Sequence, residues 1–275
     1  MDEQFEHNSL VETEDVNEHE FELNHSDKLV GVFAEPAKTF EKIANTDAKA
    51  SDWLFPLILT IIVGIIANIV MMSNPTIKYS LVEKQMKQIE ERFDDMVKSG
   101  QMSKAQKEQQ LSQTRDFMEN QMGAQMIITS VAIVVLGFVF FFIVSGVFFA
   151  VAKFGLKGDL SYMHALSAYG LPQYILVIQA IVIVILAFVM DRFFEGTSVA
   201  AIMKVDQSTL YGWFLSKVDV ISIWFYAVTA VAFAKVSKAP SMGKYFAMVF
   251  GLWLGASLIF FYLKEAIPFL KMFGM

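Results

Sequence analysis

Cysteine is absent from the 275 residues. That removes disulfides, thiolate zinc sites and cysteine nucleophiles. Charge is scarce as well: only 18% of the residues are Asp, Glu, Lys or Arg, against about 25% in soluble domains. No Lys or Arg occurs before Lys28. No Walker motif, H-E-x-x-H or G-x-S-x-G is present, so the loops and helices those signatures build are not expected. The apolar segments carry neither the paired Asp nor the Ser/His set of an intramembrane protease. The expectation is therefore a chain that is not an enzyme, with no catalytic residue, no metal ligand set and no cofactor. A secretory leader begins basic and continues apolar. Here the start is acidic, so the first apolar run is expected to serve as its own insertion signal.

What the sequence has in excess is apolar. Hydrophobic residues make up 55% of the chain, with 26 Phe and 16 Met, and mean hydropathy is +0.47. The excess is gathered into long uncharged runs. About twenty apolar residues at 1.5 Å rise cross the roughly 30 Å hydrocarbon core of a bilayer. Runs at 53–72, 125–152, 171–190, 216–234 and 245–263 meet that length. The second is longer than a span needs, which implies tilt. The fourth reaches it only by borrowing: Val220–Ala234 is short and has to take in Phe214–Val218, with Lys217 snorkelling to the interface. The expected fold is all-α: an integral membrane bundle of five transmembrane helices.

Between these runs the polarity changes. The stretch 1–27 is acidic and aperiodic, which reads as a disordered tail. Its His7, His19 and His25 lie among carboxylates at no metal-ligand spacing and read as solvated. The stretch 28–52 alternates apolar and charged residues as one or two juxtamembrane amphipathic helices. The insert 76–123 places Ile77, Leu81, Val82, Met86, Ile89, Phe93, Met96 and Val97 at helical spacing. Gly100 stops that helix, and Ser103 with Gln106 forms a capping box that starts another. The insert is thus an amphipathic helical hairpin between the first two spans, either an arm for a partner or a self-contained closure. Residues 155–170 read as a connection, 193–217 as an interfacial helix or re-entrant turn, and 264–275 as a short C-terminal tail.

Ionisable residues inside spans are the usual flag of function. Asp219 is the best candidate, at the edge of the fourth span. It is also placed to stabilise a helix N-terminus through the dipole. His164 reads as an interfacial polar residue. Asn68, Ser130, Ser145, Gln173, Gln179, Ser222, Thr229 and Ser257 are expected to hydrogen-bond between helices. Pro172 sits where a helix start tolerates it. Gly251 and Gly255 form a G-x-x-x-G, and Gly146 with Ala150 a related pair. Both are expected to serve close packing within the bundle. Acidity argues against nucleic acid as a partner. The connection 235–244 has three Lys and no acid, which favours the cytoplasm. With five spans the N-terminus is then cytoplasmic too, and the hairpin and C-terminus face outward.

Several segments, in order, resemble a known family. Phe33-Ala-Glu-Pro36 with Thr39, Phe40 and Ile43, followed by Trp53-Leu-Phe-Pro56-Leu57, resembles the opening of Yip-domain proteins. Tyr169-Gly170-Leu171-Pro172 resembles the start of their third span. Asp219-Val-Ile-Ser-Ile-Trp224 resembles their fourth, and the region of Trp253 their last. The resemblance covers about 28–263 and is closest to the bacterial branch. It implies five spans, a cytoplasmic N-terminus and action through protein partners, since members of the family are named for interaction with Ypt/Rab GTPases. The hairpin 76–123 departs from that pattern. Two functions remain in view. One is a non-enzymatic protein of the plasma membrane, in contact with lipids, that organises or assists protein partners in envelope, trafficking or export work. The other is a small-solute transporter or an accessory subunit of an export pump. Oligomeric state is not legible.

Overall fold

The computed structural model describes residues 23–266, and every regular element among them is helical. Helix α1 is His25–Ala34 and α2 Pro36–Ala44, the latter opening on a proline whose missing N–H costs nothing there. The long apolar α3 is Ser51–Ser73. The hairpin follows as α4, Pro75–Lys98, and α5, Lys104–Asn120. Next come α6, Met122–Ala150, a π-helical turn Val151–Gly155, α7, Tyr162–Gly170, and α8, Gln173–Val189. Two short helices, α9, Val199–Met203, and α10, Leu210–Lys217, precede α11, Val220–Val236, and α12, Gly243–Ala266.

Four stretches are long and apolar enough to cross a membrane: Ser51–Ser73, Met126–Gly155, Tyr162–Val189 and Gly243–Lys264. The pair α10 and α11 makes a fifth if it counts as one span, and it is bent by 63°. Exposure supports the membrane reading. On α6, Ile127, Ile128, Val131, Val135 and Ile143 are each more than half exposed. A contiguous apolar surface of that kind is stable against lipid and not against water. The protein is an all-α membrane bundle.

Chain contacts separate two compact units. The first holds the residues up to Ile58, Phe141–Ile175 and those from Ile221 onward. Its core includes Phe40, Ile43, Leu171, Ile175 and Phe233, all at or below 1% exposure. Aromatic rings run through it: Trp53 stacks on Phe141 at 5.6 Å, Phe141 meets Tyr169 at 5.4 Å, and Phe148 meets Phe233 at 5.3 Å. Gly170 is required for this packing. A Cβ there would lie 2.4 Å from Trp53 Cα, and backbone cannot yield that distance. The second unit holds Leu59–Phe140 and Leu176–Val220. Met71, Met72, Ile77, Ala187 and Phe194 form its buried cluster.

The hairpin's local chemistry is consistent with its pattern. Asn74 Oδ1 accepts from Thr76 N–H at 2.9 Å and Ile77 N–H at 3.3 Å, capping α4. Ser103 and Gln106 complete their capping box at the start of α5. Lys107 pairs with Asp94 at 2.6 Å and Glu90 at 3.2 Å, and Arg115 with Glu83 at 2.8 Å.

Three expectations differ from the structure. The tail read as far as residue 27 gives way to helix at His25, because Asn24 caps α1 by accepting from Asp27 N–H at 2.8 Å; residues 1–22 lie outside the described residues, as do His7, His19 and 267–275. The stretch 155–170 is helical from Tyr162, because Ser161 Oγ accepts from His164 N–H at 3.2 Å and starts α7. The fourth apolar run is not one continuous helix. Val218 leaves the helical region at ψ 83, and α11 starts afresh at Val220.

Candidate functional site

The break at Val218 creates the most polar buried cluster of the second unit. Helix α8 is apolar throughout except for Gln173 and Gln179. Beyond it the chain turns, and Ser198 caps α9 by accepting from Ala201 N–H at 3.2 Å. The two ends of this excursion are tied by Val199 N–H donating to Val218 O at 2.9 Å. That tie brings Thr197, Asp219 and Gln179 together. Thr197 Oγ1 donates to Asp219 Oδ1 at 2.8 Å. Gln179 Nε2 donates to Asp219 Oδ2 at 2.9 Å and lies 3.0 Å from Thr197 Oγ1. Asp219 is 6% exposed. A buried carboxylate is tolerable only when hydrogen-bonded, and these donors meet that need.

The rest of the excursion is held by its own backbone. Arg192 donates through Nη2 to Ala201 O at 2.9 Å and Ile202 O at 2.7 Å, closing the C-terminal end of α9. Its guanidinium lies 4.0 Å from the centre of the Phe194 ring, and burial pushes its pKa down. Asp206 accepts from Ser208 N–H at 2.9 Å and Ser208 Oγ at 2.8 Å. Those bonds hold its carboxyl below the usual range. Gly212 has no room for a side chain: a Cβ would sit 1.8 Å from Asp206 O.

The first unit contains a buried ion pair that the sequence pattern did not single out. Lys28 Nζ lies 2.8 Å from Asp52 Oδ1 and 2.9 Å from Oδ2, with side chains 4% and 1% exposed. Lys49 N–H adds a bond to Oδ2 at 3.3 Å. The pair fastens α1 to the first turn of α3. His25, one turn before Lys28, bonds Tyr174 Oη through Nε2 and meets the Phe55 ring at 5.3 Å. The solvated reading of His25 is thereby corrected: the helix that begins there carries its ring onto α3 and α8. The signal was present in Lys28 and Val32, four residues apart and so on one face, both buried.

The other expected residues are distributed. Trp224 is 36% exposed, its ring 5.7 Å from Phe33. Pro172 is buried between α7 and α8, and its carbonyl accepts from Ile175 N–H at 2.9 Å. Among the described residues nothing packs on Gly251 or Gly255: apart from the helix's own backbone, no atom comes within 4 Å of a Cβ built on either, and the same holds for Gly146. The buried residues of α12 are Tyr245, Met248 and Val249, all before the glycines in the helix. Three of the hydroxyls expected to join helices instead bond within their own. Ser130 donates to Met126 O at 2.9 Å, Ser145 to Phe142 O at 3.3 Å and Thr229 to Phe225 O at 2.8 Å. Gln179 does reach across. His164 bridges Ser161 Oγ at 2.7 Å and Thr46 O at 3.1 Å, a structural role.

Among the described residues no three His, Cys, Asp or Glu converge as a metal site would require. What the Asp219 cluster can do is hold, or exchange, a charge within an apolar surround.

No curated protein and no solved structure matches the chain. The Yip1 domain matches residues 30–263. That range takes in the Phe33–Ile43, Trp53–Leu57, Tyr169–Pro172 and Asp219–Trp224 segments and the region of Trp253, whose order carried the resemblance. The chain belongs to the Yip1-domain family.

Proposed function

We propose that the chain is a non-enzymatic membrane protein that organises or assists partner proteins in the bilayer, in an envelope, trafficking or export role. The observation that carries this reading is the hairpin. Helices α4 and α5 are each capped at the start and tied to one another by the Lys107 and Arg115 ion pairs. On this polar arm Tyr79 is 58% and Phe117 64% exposed. A groove of about 750 Å³ lies along it, lined by Glu83, Lys84, Met86, Lys87, Leu111 and Arg115. Exposed aromatics beside a mixed-charge groove suit a peptide or helix of a protein partner. The basic connections support an N-terminus in the cytoplasm of a plasma-membrane protein, since Lys153, Lys157, Lys235, Lys238 and Lys244 stand there against Asp159 alone; the bacterial type rests on the resemblance.

The test is site-directed photocrosslinking in native membranes. A crosslinker at Phe117 or Tyr79 is expected to give a discrete protein adduct, and one at Val135, on the lipid-facing surface, none. Equal labelling from all three positions would reject the arm as a docking element.

A second reading, a small-solute transporter or accessory subunit of an export pump, is favoured by Asp219. A buried carboxylate at the junction of a bent helix pair is the arrangement in which broken spans hold ions. Flux in proteoliposomes that disappears in Asp219→Asn, with the fold retained, would shift the weight to it.

A further inference from the structure

Two connections of the first unit meet directly. Asp159 donates its N–H to Ser237 O at 3.2 Å. A Cβ on Gly158 would lie 2.8 Å from both Ser237 Cβ and Tyr245 Oη. The two connections also start alike. Helix α11 closes with Ala239 N–H on Ala234 O at 3.0 Å, and the π-helical turn with Gly158 N–H on Ala152 O at 2.9 Å. The residue passing through left-handed backbone in each closure is a lysine: Lys238 at φ 51 and Lys157 at φ 57. Glycine is the residue that takes this position without strain. A glycine does stand next door at 158, where close approach demands it. The strained position itself carries a charge. Lys204 shares the conformation after α9, so left-handed termination alone is a backbone matter. What distinguishes Lys157 and Lys238 is that their connections adjoin.

The surroundings leave these two ammonium groups uncommitted. Lys235 pairs with Glu41 at 2.6 Å, and Lys153 donates to Leu160 O at 2.9 Å. The Nζ atoms of Lys157 and Lys238 form no ion pair or hydrogen bond with any described residue. Asp159 is the single acid on either connection. Ser237 is 3% exposed, and its Oγ has no partner among the described residues. Phe154, 74% exposed, and Tyr162, 40% exposed, flank the first connection. These segments end membrane-crossing helices, so they lie at headgroup depth, where such aromatics belong.

We propose that Lys157 and Lys238, on the adjoining connections 156–161 and 237–242, bind the phosphate headgroup of an anionic phospholipid. The two ammonium groups supply the charge, and the exposed aromatics lie beside the lipid at the interface. Net positive charge with a single acid excludes a cationic ligand, and the interfacial position favours a lipid over a soluble anion.

The test titrates phosphatidylglycerol, and separately phosphatidylcholine, into the purified full chain in neutral detergent. Native mass spectrometry counts bound lipid, and melting is followed in parallel. Phosphatidylglycerol is expected to bind more tightly than phosphatidylcholine. The double variant Lys157→Gly, Lys238→Gly should lose phosphatidylglycerol affinity about 30-fold, roughly fivefold per lysine. Its melting in phosphatidylcholine should not fall, because glycine suits both positions. Lys38→Gln with Lys42→Gln removes the same charge from exposed α2 and should cost less than about threefold. Equal loss in both double variants would mean diffuse surface charge and would overturn the site. Wild-type binding by the glycine variant, or phosphatidylcholine binding as tightly as phosphatidylglycerol, would overturn it too. Should the glycine variant fail to fold, Lys157→Asn with Lys238→Asn, which tolerates the same backbone, is judged by the same fold-changes.

Discussion

Removing one partner of the Lys28–Asp52 pair should undock α1 from the first span. At 2.8 Å and an effective dielectric near 20, the attraction between unit charges is about 6 kcal/mol. Desolvating both ions takes back several kcal/mol each. The pair as a whole is therefore close to neutral, while either half alone is a buried charge without its counterpart, costing about 3–5 kcal/mol. Lys28→Met leaves the Asp52 carboxylate with the Lys49 N–H at 3.3 Å, too little to replace an ammonium. Asp52→Asn strands the lysine. Lys28→Met with Asp52→Leu removes both charges and keeps the volume. The single variants should melt lower by about 10 °C in lipid discs, with the double variant near wild type. Because α1 can release on its own, hydrogen exchange over His25–Ala34 is the sharper reading. Protection there should fall in each single variant and return in the double. A Lys28→Met protein with full protection, or a double variant as damaged as both singles summed, would refute the assignment of a closed, dry ion pair.

Four other outcomes follow from the geometry. Thr197→Val deprives both Asp219 and Gln179 of a partner and should destabilise the second unit by about 1–3 kcal/mol, read as lost exchange protection over α9 and α10; no change would mean water already serves the carboxylate. Gly212→Ala should disrupt the same excursion, since its Cβ would lie 1.8 Å from Asp206 O, whereas Gly251→Ala and Gly255→Ala, on open helix surface, should leave melting within about 0.5 kcal/mol; equal damage from all three would contradict the packing described. Arg115 beside Glu83 holds that carboxyl below its ordinary range, so the ion pair's contribution is complete at neutral pH and fades as pH falls through the depressed value. Hairpin helicity followed by hydrogen exchange from pH 7 to pH 3 checks this, and Arg115→Gln should abolish the dependence. Single cysteines can be placed without first removing any, so Ser241→Cys should resist an impermeant maleimide in intact cells and Ser99→Cys should react, if the N-terminus is cytoplasmic.

What was legible in the sequence was what bilayer thickness and helix period dictate. The runs beginning at Trp53, Gln125 and Tyr245 are uniform enough that only a membrane accommodates them, and the hairpin's stripe begins on the buried Ile77, Val82 and Met86, with caps at Asn74 and Ser103. Less legible were features decided by one residue's choice of partner. The connection 155–170 became helical because Ser161 capped it, and the fourth run broke because Val218 O bonded Val199 N–H instead of continuing a helix. The polar residues of the spans divide on the same ground. Ser130, Ser145 and Thr229 have short side chains and a helix carbonyl one turn back, so their bonds close locally. Gln179 is too long for that and has to find a partner elsewhere. Lys28 and Asp219 share its condition. A lysine on the face of Val32 and an acid ahead of an apolar run both contradict their local pattern, and each is resolved by residues distant in sequence, Asp52 for one and Thr197 and Gln179 for the other. Local inconsistency of this kind is the sequence-level trace of a long-range polar contact. It says that a partner must exist, and the fold is needed to say which.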